Sequence, residues 1–276
     1  MPTFTGKTFA SFYNRILQFG HAGNNGTPTS TTAIQSGDGV ATSLSLSDDV
    51  LSVQPQNDDG NTFLVKSNAG NNILTVDTTN SKVLGGASQT ALNTQYAHFG
   101  VAYSDVTGSG SFAADTHYAI PFNYANFGSA AASIAMGTST APDGSFNDTD
   151  PATSLTISTT AMDIVTTYWY VMDDITIDAV KWFHAADAIT GDSTAAHLMS
   201  YTVDVTNFST GGDLSAGVVV ADGATITNLG YEQIYYQSMT IQSADVDAGK
   251  VILFTFASDT VNSDYSLNCS VKYHIR

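Results

Sequence analysis

Short runs that alternate apolar and polar residues recur between about residues 39 and 86, each followed by a cluster of Asn, Asp, Gly or Ser. Such period-two alternation, broken by turn residues, predicts short β-strands. The runs lie at 44–46, 51–53, 63–65, 73–76 and 83–84. Val53, Val65 and Val76 are eleven or twelve residues apart, which indicates one small unit used several times.

This segment offers too few apolar side chains to form a core of its own. Each run places only two or three on one face, and about fifty residues of this kind bury too little surface to offset the entropy of ordering the chain. We therefore expect several copies to wind about a common axis as a β shaft over residues 38–90. A meander packed on the larger domain that follows is the alternative. The predicted shaft core consists of Leu44, Leu46, Leu51, Val53, Leu64, Leu74, Val76 and Val83.

The first 37 residues form a separate piece, in which residues 8–19 predict a short helix followed by a flexible polar tether. Thr5 or Thr8 would cap this helix and Gly20 would end it. A helix this short is marginal alone in water, so its apolar stripe is expected to dock on something. The partner is either a larger assembly, which makes the piece an anchor, or the chain itself. The stripe consists of Phe9, Phe12, Tyr13, Ile16 and Leu17.

Residues 91–276 carry many strand candidates, separated by turn signals and without a βαβ rhythm. This pattern predicts an antiparallel β-sandwich, and the length favours a jelly roll over an immunoglobulin-like domain. In the run 175–183, alternation predicts that Ile175, Ile177, Ala179, Lys181 and Phe183 share one face. The candidates are 96–103, 118–124, 131–136, 155–158, 164–172, 175–183, 196–206, 217–220, 234–241, 251–257 and 265–274.

Composition supports the mainly β interpretation and excludes some partners. Charged residues are only 12 %, and Glu232 is the one Glu, so strong helix formers are scarce. The formal net charge of −17 argues against a nucleic-acid or anionic-membrane surface, which would need Lys and Arg patches. No run is long enough to span a membrane, and a secretory signal is not evident. Cys269, the single cysteine, is expected to be a buried or half-buried strand residue.

No catalytic or metal-binding motif emerges, so we expect a protein without enzymatic activity or cofactor. The six histidines show no metal-ligand spacing, and no nucleophile signature is present. Asp-rich stretches at 57–61 and 143–150 offer oxygen ligands for Ca²⁺, although Asp and Asn also favour turns for backbone reasons. Among the aromatic residues, Trp169 and Tyr236 are the candidates for surface recognition of a sugar, with core or subunit interface as the alternative.

Several phrases of the sequence resemble small virion fibre proteins of tailed phages, particularly marine ones. They are TFASFYNRILQF, TPTSTTAIQSGDG, LSLSDDVLSV and ILTVDTTNSKVLGG in the first half, and YWYVMDDITIDAV and YQSMTIQSADVDAGKVILFTF in the second. The resemblance covers most of the chain, but it consists of compositional phrases and transfers no active-site residue.

The resemblance implies a homotrimeric structural protein of the virion exterior, made in the host cytoplasm. Residues 1–37 would join other capsid or tail proteins, the shaft would follow, and the sandwich would form a tip that decorates the particle or contacts a host-surface glycan. Two alternatives stay open from the residues: a monomeric carbohydrate-binding β-sandwich and a tailspike-like polysaccharide hydrolase that uses a pair of Asp carboxylates.

Overall fold

A computed structural model of the chain describes residues 18–19, 29–36, 39–103, 114–123, 135–138, 151–155, 165–187, 191–203, 213–230, 233–259 and 264–276. The chain divides into two compact units, the first ending at Asn93 and the second beginning at Thr94. The described residues contain no α-helix, and none of their segments is a helix long and apolar enough to cross a membrane. The mainly β prediction is therefore confirmed for this part of the chain.

The described part of the first unit forms two four-stranded antiparallel sheets, each a simple meander in sequence order. The strands of the first sheet are β1 Gln18–Phe19, β2 Thr32–Gln35, β3 Ala41–Leu46 and β4 Leu51–Val53. Those of the second are β5 Phe63–Lys66, β6 Asn72–Asp77, β7 Lys82–Gly85 and β8 Thr90–Ala91. All five runs predicted as strands in this region are thus confirmed as strands.

The predicted N-terminal helix is wrong at its end. Gln18 and Phe19 form β1, which pairs with Gln35 and Ile34 of β2. The two residues continue the first meander, so pairing with a neighbouring strand overrides the local helical spacing. The rest of the predicted helix, with its five apolar stripe residues, lies outside the described residues.

The residues described in the second unit form thirteen strands. They are β9 Thr94–Tyr103, β10 Thr116–Ile120, β11 Ala135–Thr138, β12 Trp169–Tyr170, β13 Ile175–Asp187, β14 Ser193–Val203, β15 Leu214–Asp222, β16 Ile226–Thr227, β17 Gln233–Ser238, β18 Thr240–Ile241, β19 Asp245–Val246, β20 Lys250–Ser258 and β21 Asp264–Ile275. A 3-10 turn, Val165–Thr167, precedes β12.

Two sheets divide these strands. The larger has the order β11-β10-β20-β14-β15-β18, with β12 on β20 and β16 on β14; the smaller has the order β17-β13-β21-β9, with β19 on β13. A continuous buried cluster joins the inner faces, and Trp182 of the smaller sheet has its ring 6.1 Å from the rings of both Phe254 and Phe256 of the larger. Rings from opposite sheets in contact make this unit a sandwich, which confirms the predicted architecture at that level.

The larger sheet is buried on both faces. Its second face carries another apolar cluster around Met199, Tyr201 and Leu253. Residues 151–155 cover part of it, since the hydroxyl of Tyr201 donates to the carbonyl of Ala152 at 2.8 Å. A Cβ at Gly217 would lie 2.6 Å from Tyr201 Cε1 and 2.8 Å from Thr153 Cα, so this glycine lets the segment approach. Cys269, in the first cluster, is fully buried as expected.

A β-bulge in β13 changes which side chains face the core. Ile177 pairs with Tyr273 and Ala179 with Lys272, which leaves Asp178 without an opposite residue. Ile175 and Ile177 point inward before the bulge, and Val180, Trp182 and His184 are buried after it. The prediction that Lys181 and Phe183 share a face with Ile175 is therefore wrong: both lie on the outer face.

Most strand predictions in this unit are confirmed, and the departures have local causes. The predicted strand 118–124 ends at Ile120 because Pro121 has no N–H to donate. In place of the predicted strand 164–172, the structure has the 3-10 turn and the short strand β12. The cause is that backbone hydrogen bonds join this stretch to two different segments of the chain. Thr166 accepts from the N–H of Phe122, whereas the N–H of Val171 donates to Lys250.

Candidate interaction surfaces

The first sheet of the first unit carries an apolar face. Leu44 lies opposite Val53 and Leu46 opposite Leu51. Because Leu44 and Leu46 are two residues apart on one strand, all four side chains share one side of the sheet. We call this set the first apolar face. Leu51 is 66 % exposed, and the other three are half-buried.

The second sheet carries a larger apolar face. Val76 lies opposite both Phe63 on β5 and Val83 on β7, which fixes the side these positions share. Leu92 lies over the same side, since a Cβ on Gly85 would be 2.8 Å from Leu92 Cδ2. The second apolar face consists of Phe63, Val65, Leu74, Val76, Val83 and Leu92. None of the six is buried.

The opposite side of the second sheet carries Leu64, Thr75 and Leu84 in one row, and its buried polar side chains are hydrogen-bonded within the chain. Thr75 donates from Oγ1 to Gln89 Oε1 at 2.7 Å, and Asp77 accepts from both the backbone and the side-chain nitrogen of Asn80. Thr75 and Asp77 are the buried residues among those described from 29 to 93, and no hydrophobic side chain in that stretch is buried. The first unit thus satisfies its polar groups while its apolar faces stay open.

Seven of the eight predicted shaft-core residues lie on the two apolar faces. The eighth, Leu64, is opposite Thr75 and lies on the other side of the second sheet from Leu74, and its role in a shaft core stays a prediction. Because the three residues from Phe63 to Val65 are all apolar, the sequence does not show which of them face the same side of the sheet. The inward role of the seven in an oligomer stays a prediction.

A groove of about 370 Å³ lies on the outer face of the smaller sheet of the second unit. Ala185 is flanked by Ile234 on β17 and Ser266 on β21, and the next row on the same face contains Tyr236, Phe183 and Asn268. The small side chains of Ala185 and Ser266 between larger neighbours create the depression. We call it the aromatic groove.

Two stacked rings lie at the aromatic groove: Phe183 lines it, and Tyr236 packs on Phe183 next to the lining. The rings of Phe183 and Tyr236 have centroids 5.6 Å apart and planes inclined by 27°. Tyr236 is 64 % exposed, Phe183 42 % and Ile234 75 %. The sequence identified Tyr236 as a surface aromatic, and its exposure agrees; its recognition role stays a prediction. The sequence missed Phe183 because the bulge in β13 reverses the alternation that had placed it inside.

Trp169 does not belong to a recognition surface. It is only 8 % exposed, and its ring stacks on Phe122 at 6.1 Å and contacts Tyr273 at 4.8 Å. Strand β12 pairs with β20, and this pairing turns Trp169 into the core while its neighbour Tyr170 points outward. The prediction of Trp169 as a surface aromatic is therefore wrong.

Two lysines continue the outer face beside the groove. Lys181 precedes Phe183 by two residues. Lys272, on β21, lies opposite Ala179 and is a diagonal neighbour of Lys181. Among the described residues no ion pair includes either lysine. The described Arg276, in contrast, pairs with Asp245 and Asp247. This face therefore concentrates positive charge on a chain whose net charge is −17.

The described histidines differ in their surroundings, and the rings of His117 and His197 contact each other with centroids 5.0 Å apart. His184 is stacked between Trp182 and Tyr235 at centroid distances of 5.1 and 5.2 Å, and neither ring nitrogen has a hydrogen-bond partner in the described part of the chain. Burial lowers the pKa of His184 to about 4, so this ring is neutral at pH 7. Elsewhere, His274 contacts Asp178 at 3.0 Å. His197 contacts Asp222 at 3.2 Å.

One serine–histidine contact lies on the outer face. His98 Nδ1 is 3.1 Å from Ser270 Oγ, across the pair β9 and β21. A nucleophilic serine needs a base that a third group orients. No hydrogen bond from His98 to a carboxylate occurs among the described residues. This contact is a cross-strand hydrogen bond of the sheet.

The described residues contain no group of three His, Cys, Asp or Glu side chains that could hold a metal ion. The Asp-rich stretch 143–150 and the anchor residues Phe9, Phe12, Tyr13, Ile16 and Leu17 lie outside the described part of the chain. Comparison with protein-family models gives no match, and comparison with curated proteins finds no similar sequence. The function therefore has to be argued from the surfaces above and from the sequence.

Proposed function

We propose that this chain is a structural, non-enzymatic protein of a tailed-phage particle, a homotrimeric head or tail fibre with the first unit as shaft and the second as tip. The observation that carries the proposal is the open apolar surface of the first unit. Both of its sheets have an apolar face, and no hydrophobic side chain is buried among its described residues from 29 to 93. The phrases shared with phage fibre proteins supply the attribution to a virion.

A second copy of the same chain is the partner that such faces fit best. Water in contact with apolar surface costs roughly 25 cal/mol per Å² relative to burial. Copies related by a rotation axis present the same face to one another, so one contact covers every copy. The number three rests on the resemblance. The two apolar faces support association of copies without fixing that number.

Residues 1–37 form the attachment piece in this proposal. An apolar stripe at helical spacing followed by a polar tether supports a short helix that docks on another virion protein. The stripe is Phe9, Phe12, Tyr13, Ile16 and Leu17.

The strand order of the second unit supports a jelly roll as the tip. In chain order its eight principal strands are β9, β10, β13, β14, β15, β17, β20 and β21. The first pairs with the last, the second with the seventh, the third with the sixth and the fourth with the fifth. A long hairpin folded over on itself has this pairing, and the two-sheet form with such Greek-key connections is the jelly roll. Jelly rolls occur in viral and lectin domains.

Light scattering behind a sizing column tests the shaft. The full-length chain is expected to have a mass near three times 28.9 kDa. Val76→Asp places a charge on the second apolar face and should shift the mass toward one chain, because burying an unpaired carboxylate in an apolar contact is costly. Thr79→Asp, in the turn after β6, adds the same charge away from that face and should leave the mass unchanged. A monomeric wild-type chain would refute the shaft.

Particle assembly tests the attachment piece. A chain that lacks residues 1–17 loses the apolar stripe but keeps β1 and β2, so it should keep the oligomeric state of the full-length chain but should be absent from purified particles. Normal incorporation of this chain, detected with an antibody to the second unit, would refute the anchor.

A monomeric carbohydrate-binding protein is the second candidate, and the aromatic groove favours it. Exposed stacked rings beside polar side chains suit a sugar that needs both an apolar contact and hydrogen bonds. This candidate becomes the better one if the wild-type chain is a single copy in solution.

A further inference from the structure

We propose that the aromatic groove and the two lysines beside it bind an acidic saccharide, one that carries carboxylate, sulfate or phosphate groups. The inference rests on the proposed function only in assigning this ligand to a host surface. The binding site itself follows from the outer face of the smaller sheet.

The groove has the size and lining of a small-ligand site. Its volume of about 370 Å³ lies within the usual range for ligand pockets, roughly 300–1,000 Å³. Phe183 lines the groove, the exposed ring of Tyr236 stacks on Phe183 beside it, and the exposed residue Ser266 also belongs to the lining. A pyranose ring has an apolar face of C–H groups, which suits the two stacked aromatic rings. Its rim of hydroxyls suits the polar side chains of Ser266 and Asn268 in the lining.

The lysines supply the preference for negative charge. Lys181 lies two residues along the strand from Phe183, on the same face and about 7 Å away at the backbone. Lys272 is a diagonal neighbour of Lys181 on the adjacent strand, again about 7 Å away. A saccharide stacked on Phe183 and Tyr236 can therefore extend its next ring over both ammonium groups. Neither lysine takes part in an ion pair among the described residues, so an incoming anion displaces no carboxylate of that part of the chain.

A second copy of the chain fits this face less well than a hydrated ligand does. Lysine is depleted in the cores of protein interfaces, because covering its strongly hydrated ammonium group is costly. Each copy also carries a net charge of −17, which opposes close approach of copies outside a contact built for it. The groove is concave and small, which suits an oligosaccharide rather than an extended protein surface.

The test uses the purified full-length chain on an array of oligosaccharides that bear uronate, sialate or sulfate groups, together with neutral counterparts of the same ring sequence. Acidic members are expected to bind, and their neutral counterparts to bind more weakly. Isothermal titration calorimetry then measures the affinity of the chain for one acidic oligosaccharide and for its neutral counterpart. Raising the salt concentration from about 0.05 M to 0.5 M should weaken the acidic member selectively, because screening shortens the range of the charge interaction.

Two sets of variants separate the rings from the charges. Tyr236→Ala should weaken both members of the pair about tenfold through loss of the aromatic contact. The double variant Lys181→Gln and Lys272→Gln should weaken only the acidic member, by about fivefold. Tyr170→Ala removes an equally exposed tyrosine of β12, and Lys66→Gln removes an exposed lysine of the first unit. Neither control should change binding of either member.

Three results would overturn the inference. The first is no binding to any acidic member. The second is equal affinity for acidic and neutral members with no effect of the lysine variants. The third is a change in the oligomeric mass, but not in saccharide binding, on Tyr236→Ala, which would make the groove a contact between copies. Acidic-saccharide binding by a chain that proves monomeric would support this inference while the proposed shaft fails.

Discussion

At the scale of single residues, sequence reasoning identified the chemistry of the aromatic residues but not their orientation. Trp169 and Tyr236 both occur in aromatic-rich runs, and one is in the core whereas the other is at the surface. The direction of each depends on which neighbouring strand it pairs with, β20 for Trp169 and β13 for Tyr236. That pairing joins residues far apart in the chain, and one sequence without long-range information does not contain it.

A buried neutral histidine gives the fold a dependence on pH. The pKa of His184 is lowered from 6.5 to about 4 by burial. The unfolded chain therefore binds a proton near pH 6.5 that the folded chain binds only near pH 4. The free energy of unfolding is therefore unaffected by titration of this residue above pH 6.5 and decreases as the pH falls toward 4, by about 3 kcal/mol in all.

His184→Phe should keep the stacking on Trp182 and remove this titration. We expect urea midpoints of the variant to fall much less between pH 7 and pH 4.5 than those of the wild type, whatever the difference at pH 7. Tryptophan fluorescence is a suitable probe, because Trp169 and Trp182 both lie in the second unit. Parallel loss of stability in the two proteins would show that other groups cause the acid sensitivity.

At the scale of elements, the positions of strands were predictable, whereas their faces and a few boundaries were not. Alternation with turn residues located β3 to β7 and most long strands of the second unit, because both signals are local. Leu64 lies on the opposite face from Leu74, which a run of three apolar residues does not reveal. Lys181 and Phe183 were misplaced by a bulge, which adds one residue to a strand without a sequence signal of its own.

The bulge in β13 leads to a prediction about deletions. Removing Asp178 restores regular alternation from Ile177 to Val180, so every buried residue of the strand keeps its face. We expect this variant to fold, with a modest loss of thermal stability from the lost contact between Asp178 and His274. Removing Lys181 instead shifts Trp182 and His184 to the outer face, which should abolish folding.

Soluble yield, circular dichroism and thermal unfolding of the two deletion variants provide the measurement. The two chains have equal length and differ only in the residue removed, so each controls for the other. Equal tolerance of both deletions would mean that the core of the sandwich does not depend on the register of β13.

At the scale of the whole molecule, the two units differ in how their apolar surface is used. The second unit encloses a continuous core between its sheets and a second cluster beneath residues 151–155. The first unit leaves its apolar side chains on two open faces. Sequence patterns anticipated this contrast, since fifty residues with two or three apolar side chains per run cannot make a core, whereas the long alternating runs after residue 91 can.

This contrast predicts how the units behave when the chain is divided after Asn93. Residues 94–276 should fold alone as a monomer with one cooperative thermal transition, because their core is complete within one chain. The full-length chain should be an oligomer, since the open apolar faces that we propose as the association surface lie in the first unit. Light scattering and calorimetry on the two proteins measure both properties. If residues 94–276 alone form an oligomer with the same number of copies as the full-length chain, then the second unit causes the association. The apolar faces of the first unit must then be covered in another way.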